Sequence, residues 1–279
     1  MLRIPVSILT NSLQPMNNDL LKVGVVSLDI AFADKQANLL RVKTILEEWG
    51  SKVDVLVLPE LFSTSFVSDT ETLAEIAEGD NGSTIKTLRA LAREYDVLLS
   101  GSYIALIEGA YFNRGFMLAP DGEARFYNKR HLFGLSEESL LFKAGNDRPP
   151  VMNYRGWNVA MIVCYDLRFP VWCRRHDDHC QYDLMLVVAN WPQSREYAWN
   201  HLLIARAIEN QSYVVGDNRS GSDRYGEYDG MSVVYDMGGY PIGEAVSNEM
   251  YIATLSLSRL QQSRERWPIA RDADNFKTL

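Results

Sequence analysis

The chain is expected to fold as one α/β domain, and three features of its sequence say so. Apolar strand-like runs alternate with segments of helical periodicity along most of the length. Several runs, among them 53–58, 157–163 and 184–189, are apolar at nearly every position, as strands covered on both faces must be. No repeat, low-complexity stretch or linker interrupts the 279 residues. Two strand-rich halves suggest two sheets packed together with helices outside; pattern alone does not give strand order.

The elements follow in chain order. Residues 23–28 form the first expected strand. Residues 35–49 follow, with Leu39, Leu40, Val42, Ile45, Leu46 and Trp49 spaced for one helical face. After strand 53–58, Ser83 is read as the N-cap of a helix running to Tyr95. Strand 97–104 comes next. The turn Pro120-Asp121-Gly122 joins 113–118 to 123–129 as a hairpin. Strands 157–163 and 184–189 precede a helix over 195–210, whose apolar positions are Leu202, Leu203, Ala205, Ala207 and Ile208. Strands near 214–215, 232–235 and 251–255 complete the set, with a second hairpin turn at Met237-Gly238-Gly239-Tyr240.

Composition narrows the function classes. The net charge is −8, and 47% of residues are hydrophobic. That balance argues for a well-filled core and against a nucleic-acid partner, which needs a basic footprint. It argues equally against docking on anionic membranes, and no apolar run reaches the roughly 18 residues that span a bilayer. Three cysteines imply no disulfide framework, so a reducing cytoplasm is the expected location. Residues 1–20 are read as an N-terminal extension, with 21–279 as the single domain.

Three strand ends carry the chemistry. Strand 53–58 leads into Pro59-Glu60, the second hairpin strand ends on Asn128-Lys129, and strand 157–163 ends on Cys164. Taken singly, a strand-end Cys is most often packed, and a Glu or Lys solvated. Together they supply a nucleophile, a proton acceptor and a cation for an oxyanion, which amide hydrolysis requires, without a histidine. A Lys ammonium beside the thiol is expected to lower its pKa.

The motifs around these residues, Leu58-Pro59-Glu60-Leu61-Phe62, Asn128-Lys129-Arg130-His131-Leu132-Phe133 and Cys164-Tyr165-Asp166-Leu167-Arg168-Phe169-Pro170, resemble those of the nitrilase superfamily of carbon–nitrogen hydrolases. They stand in the family's order, and the resemblance covers about residues 22–275. It implies a four-layer α-β-β-α sandwich and a cofactor-free, metal-free reaction on a small-molecule amide. Glu60 would be the general base, Lys129 the electrostatic stabiliser, Cys164 the nucleophile and the Tyr165 backbone N–H part of the oxyanion hole. A second family Glu matches Glu138, with Glu137 beside it as a competing choice. His131 is read as a structural hydrogen-bonder.

Further along, Ala189-Asn190-Trp191-Pro192, 205–211 and 218–223 resemble the bacterial omega-amidases of the superfamily, which act on 2-oxo acid monoamides such as 2-oxoglutaramate and 2-oxosuccinamate. Phe133 and Trp191 would then wall the pocket. Arg130, Arg168 and Arg219 are candidate anchors for the substrate carboxylate, and the Tyr residues of 225–235 are expected in core or interface. The alternatives are another aliphatic amidase, a carbamoylase, a nitrilase, or a non-catalytic binder on the same scaffold. The resemblance also implies a homodimer, with the segment 267–276 reaching over the partner. The cluster Cys173-Arg174-Arg175-His176-Asp177-Asp178-His179-Cys180 offers sulfur and nitrogen ligands, but its spacing is no standard zinc arrangement, and it is read as a charged loop.

Overall fold

The computed structural model describes residues 19–175 and 181–274. In chain order the elements are β1 (Leu20–Val26), α1 (Lys35–Trp49), β2 (Val55–Val57), α2 (Thr70–Ile76), α3 (Ser83–Tyr95), β3 (Leu98–Ile107), β4 (Ala110–Leu118), β5 (Ala124–Asn128), α4 (Glu138–Leu141), β6 (Val151–Tyr154) and β7 (Trp157–Val163). After β7 come α5 (Pro170–Cys173), β8 (Leu184–Ala189), α6 (Glu196–Asn210), β9 (Tyr213–Asn218), β10 (Ser220–Asp223), β11 (Gly226–Asp229) and β12 (Val233–Tyr235). The chain closes with β13 (Pro241–Ile242), β14 (Glu244–Ala245), β15 (Met250–Ser256) and α7 (Leu257–Arg266).

These elements build the four-layer sandwich. A seven-stranded sheet runs β14-β15-β1-β2-β3-β4-β5, and a six-stranded sheet runs β13-β12-β9-β8-β7-β6. The period-2 alternation of each central strand explains why they are apolar throughout. Val55 and Val57 face the layer between the sheets, while Leu56 faces α1 and α3. Likewise Val159, Met161 and Val163 of β7 point between the sheets, and Ala160 and Ile162 point toward α6. Gly115 lets the sheets approach: a Cβ there would lie 2.5 Å from Met161 Cε.

Parallel pairing sets the site. β2 lies parallel between β1 and β3, and β8 lies parallel between β7 and β9. The carboxyl ends of β2, β7 and β8 therefore open on one edge of the sandwich, where ligands of open α/β sheets bind.

The expected elements are present with a few shifts. The helix from Ser83 starts as read, but Gly82 occupies the cap position, and the Glu78 carboxylate accepts from Thr84 N (3.2 Å) in place of a Ser83 cap. At the start of the described chain Asp19 accepts from Ser258 N (2.6 Å) and Leu20 pairs with Ser256. The rest of the 1–20 extension lies outside the described residues, as do residues 176–180 of the Cys/His cluster and 275–276 of the tail. Cys173 is described: it is buried, and its thiol, which donates to Asp166 O (3.3 Å), is pushed up to about 12 by burial.

Candidate active site

Each chemical residue sits where a strand stops and the backbone turns sharply. Glu60 follows β2 through Pro59, and Leu61 beyond it is left-handed (φ 50°), with its N–H donating to Ser102 Oγ (2.8 Å). Cys164 follows β7 and is itself left-handed (φ 46°). A non-glycine residue held in that region costs roughly 1–3 kcal/mol and persists only where its surroundings enforce it. Here Asp166 does so. Its buried carboxylate accepts from Val163 N (3.2 Å), Tyr127 Oη (2.8 Å) and His131 N (2.9 Å), and pairs with His131 Nδ1 (2.7 Å). The thiol's turn is thereby tied to the end of β5 and the segment after it.

Lys129 follows β5 directly. Its N–H donates to Asn113 O (2.9 Å), and its own carbonyl accepts from Gly145 N (2.9 Å). Gly145 is required by space: a Cβ there would lie 2.1 Å from Asn128 O. The chain from Lys129 to Gly145 thus closes a loop that carries Glu138 back over the lysine.

The result is a buried charge cluster. Lys129 Nζ donates to Glu60 Oε1 (2.8 Å) and to Glu138 Oε1 (2.8 Å) and Oε2 (3.0 Å). Asn113 Nδ2 donates to Glu60 Oε1 (2.7 Å) and Glu138 Oε1 (3.1 Å). Glu60 Oε2 accepts from Asn190 N (2.8 Å), and Glu138 Oε2 from Phe133 N (2.7 Å). The Cys164 thiol lies close enough to feel the charges of Glu60, Lys129 and Glu138. Glu60, Lys129 and Glu138 are each less than 5% exposed. Buried charges survive only when paired and hydrogen-bonded in this way.

The electrostatics keep the expected effect of the lysine but set it against larger ones. Burial, and then the Glu60 charge, push the Cys164 thiol well above its usual pKa; the Lys129 ammonium pulls it down but does not prevail. Burial alone would lower the lysine's pKa, yet Glu138, Glu60 and Cys164 together hold it well above the ordinary value. That direction favours the thiol over the thiolate in the resting site.

Above the cluster opens a small cleft. Glu60, Lys129, Glu138 and Cys164 form its floor, and Phe133, Tyr165, Arg168 and Trp191 line it as well. The Arg168 guanidinium lies 4.8 Å from the Trp191 ring centroid. Glu137 is separate from the cluster: it faces outward and pairs with Arg224 Nη2 (2.8 Å).

Two arginine candidates are placed elsewhere. Arg219 is buried behind the cleft, where it donates to Ser65 Oγ (2.8 Å) and pairs with Asp223 (3.1 Å). Its partner Asp223 does line the cleft. Arg130 donates to Gly145 O (3.0 Å) and Asn146 Oδ1 (3.0 Å), away from the cleft. Sequence reasoning missed Asn113, Arg195, Tyr225 and Tyr228, all in the cluster or on the cleft wall. A lone Asn in the strand 113–118 was a usable signal for Asn113. The two tyrosines were expected in core or interface, but the β10–β11 hairpin carries them to the cleft.

Known proteins resemble this chain along most of its length. The model of the carbon–nitrogen hydrolase family matches residues 22–265. The chain is 40% identical over 260 residues to the omega-amidase YafV of Escherichia coli K12, covering 92% of this chain and 98% of that protein. It is 31% identical over 253 residues to the 2-oxoglutaramate amidase of Bacillus subtilis, covering 90% and 96%. The solved structure of XC1258 from Xanthomonas campestris, a CN-hydrolase superfamily protein with an arsenic adduct in its active site, superposes with a TM-score of 0.87 at 35% identity, covering 93% of this chain and 99% of that one. With the fold, the strand-end cluster and a family match over most of its length, this chain belongs to the carbon–nitrogen hydrolase family.

Proposed function

We propose that the chain is an omega-amidase, hydrolysing the terminal amide of small 2-oxo acid monoamides such as 2-oxoglutaramate and 2-oxosuccinamate to acid and ammonia. The observation that carries this reading is the convergence of Glu60, Lys129, Glu138 and Cys164 at the floor of one small cleft. The likeness to the E. coli and B. subtilis amidases supports the substrate class.

The proposed chemistry follows from the hydrogen bonds. Sulfur attacks the amide carbonyl as the thiol's proton passes to Glu60, the carboxylate beside it at the cleft floor. The oxyanion is held by Lys129 and the Tyr165 N–H. Protonated Glu60 then delivers its proton to nitrogen as the C–N bond breaks, and ammonia leaves a Cys164 thioester. Water, deprotonated by Glu60, cleaves the thioester, and the thiol regains its proton. Glu138 already accepts four hydrogen bonds, from Lys129, Asn113 and Phe133. Its proposed part is to aim the ammonium, while Phe133 and Trp191 wall the pocket and Arg168 meets the substrate carboxylate.

We also propose a cytoplasmic homodimer, built from residues 21–279 as a single domain behind the extension 1–20. The free Cys164 and Cys173 thiols support a reducing compartment. The exposed Trp267 (64%) and Ile269 (45%) support a C-terminal segment that packs on a second copy. Sedimentation at micromolar concentration tests the dimer: a monomer throughout would refute it. For the activity, ammonia release is compared across 2-oxoglutaramate, glutamine, simple amides and nitriles. The reading expects 2-oxoglutaramate to give the highest kcat/KM, and a preference for nitriles or unfunctionalised amides would overturn it.

A further inference from the structure

We propose that Arg195 is a specificity-determining residue, the outer partner of Arg168 in a two-guanidinium clamp that reads the anionic 2-oxo acid head of the substrate. This deepens the omega-amidase reading and rests on it. Arg195 lines the same cleft as Arg168. Its guanidinium lies 4.9 Å from the centroid of the Phe133 ring, as that of Arg168 lies over Trp191. Among the described residues neither guanidinium has a carboxylate oxygen within 4.0 Å. Two cations stacked on aromatic walls and lacking an anion are an unusual feature on a chain of net charge −8.

One side chain places both cations. Trp191 lies under the Arg168 guanidinium, and its indole Nε1 donates to the Arg195 carbonyl (2.9 Å). Arg195 N donates to Pro192 O (2.9 Å), so the backbone of Arg195 is fixed while its head remains exposed. Trp191 is itself held at both ends: its N–H donates to Asn218 Oδ1 (2.7 Å), and its carbonyl accepts from Asn218 Nδ2 (2.8 Å). The one acid on this wall that could compete for the cations, Asp223, is engaged by Arg219 (3.1 Å) and by Tyr228 Oη (3.1 Å). A carboxylate accepts two parallel N–H bonds from one guanidinium, and an adjacent 2-oxo oxygen gives the second guanidinium an acceptor. An unfunctionalised amide offers neither.

The test compares 2-oxoglutaramate with pentanamide, an uncharged amide of the same carbon count. The quantity read is the ratio of their kcat/KM values in wild type, Arg195→Gln and Arg195→Lys. In Arg195→Gln the ratio should fall about ten- to a hundredfold, mainly through a higher KM for 2-oxoglutaramate, the size expected for one charge-assisted contact. Arg195→Lys should recover part of it. Equal losses on both substrates would mark Arg195 as structural and overturn the proposal, as would an unchanged ratio. A wild-type enzyme with no preference for 2-oxoglutaramate would instead sink the omega-amidase reading, whatever the variants do.

Discussion

The floor and the rim of the cleft are built on opposite principles. On the floor, Glu60, Lys129, Glu138 and Asn113 are buried and bonded to one another, and of their side-chain atoms only Asn113 Oδ1 lacks a partner among the described residues. On the rim, Arg168 and Arg195 lean on aromatic faces without a carboxylate partner among the described residues. The floor is organised before any substrate arrives, which suits transition-state stabilisation. The rim holds unmet bonding capacity, which suits discrimination between substrates. Mutations on the floor should therefore cost turnover and stability, and those on the rim should cost affinity.

Cys164→Ala should have the largest effect. Turnover should fall by about 10⁴-fold or more with the fold intact, because nothing else on the floor can carry the acyl group. Ammonia release and a thermal melt check this together, and substantial residual turnover would break the account. Lys129→Met comes next. It leaves two buried carboxylates facing each other without their cation, and urea unfolding should record a loss of about 3–5 kcal/mol. An unchanged midpoint would show the floor is less preorganised than its hydrogen bonds imply.

Glu60→Gln sharpens the electrostatic side of the comparison. Burial raises the thiol's pKa first, and the Glu60 charge raises it further. Removing that charge lowers the pKa, so alkylation of Cys164 by iodoacetamide should reach its midpoint at lower pH than in wild type, even as turnover collapses. A midpoint that rises or stays put would contradict the assigned charges. The smallest effect belongs to the rim. Phe133→Ala removes the face under Arg195, and KM for 2-oxoglutaramate should rise roughly two- to fivefold with kcat little changed.

Legibility in the sequence divides along the same line. The fold was readable because each central strand is apolar on both faces, as 157–163 and 184–189 are, and α1 keeps its helical spacing. Glu60, Lys129 and Cys164 were readable as strand ends inside recognisable motifs. What pattern could not supply was direction in space. Arg219 looked like an anchor but turns inward to Asp223, while Arg195, in a short turn before α6, turns onto the cleft. The thiol's net pKa was not readable for a related reason. The motif names the cation beside the sulfur, but the balance of two carboxylates and burial against that one cation depends on their convergence.

The most direct test of the central claim is peptide mass analysis of enzyme acid-quenched during turnover of 2-oxoglutaramate. The account predicts that the peptide bearing Cys164 carries the acyl group of the substrate, less ammonia, and that Cys164→Ala carries none. An acyl group on any other residue, or its absence from Cys164 under conditions that trap an acyl-enzyme in a related thiol amidase run alongside, would contradict it.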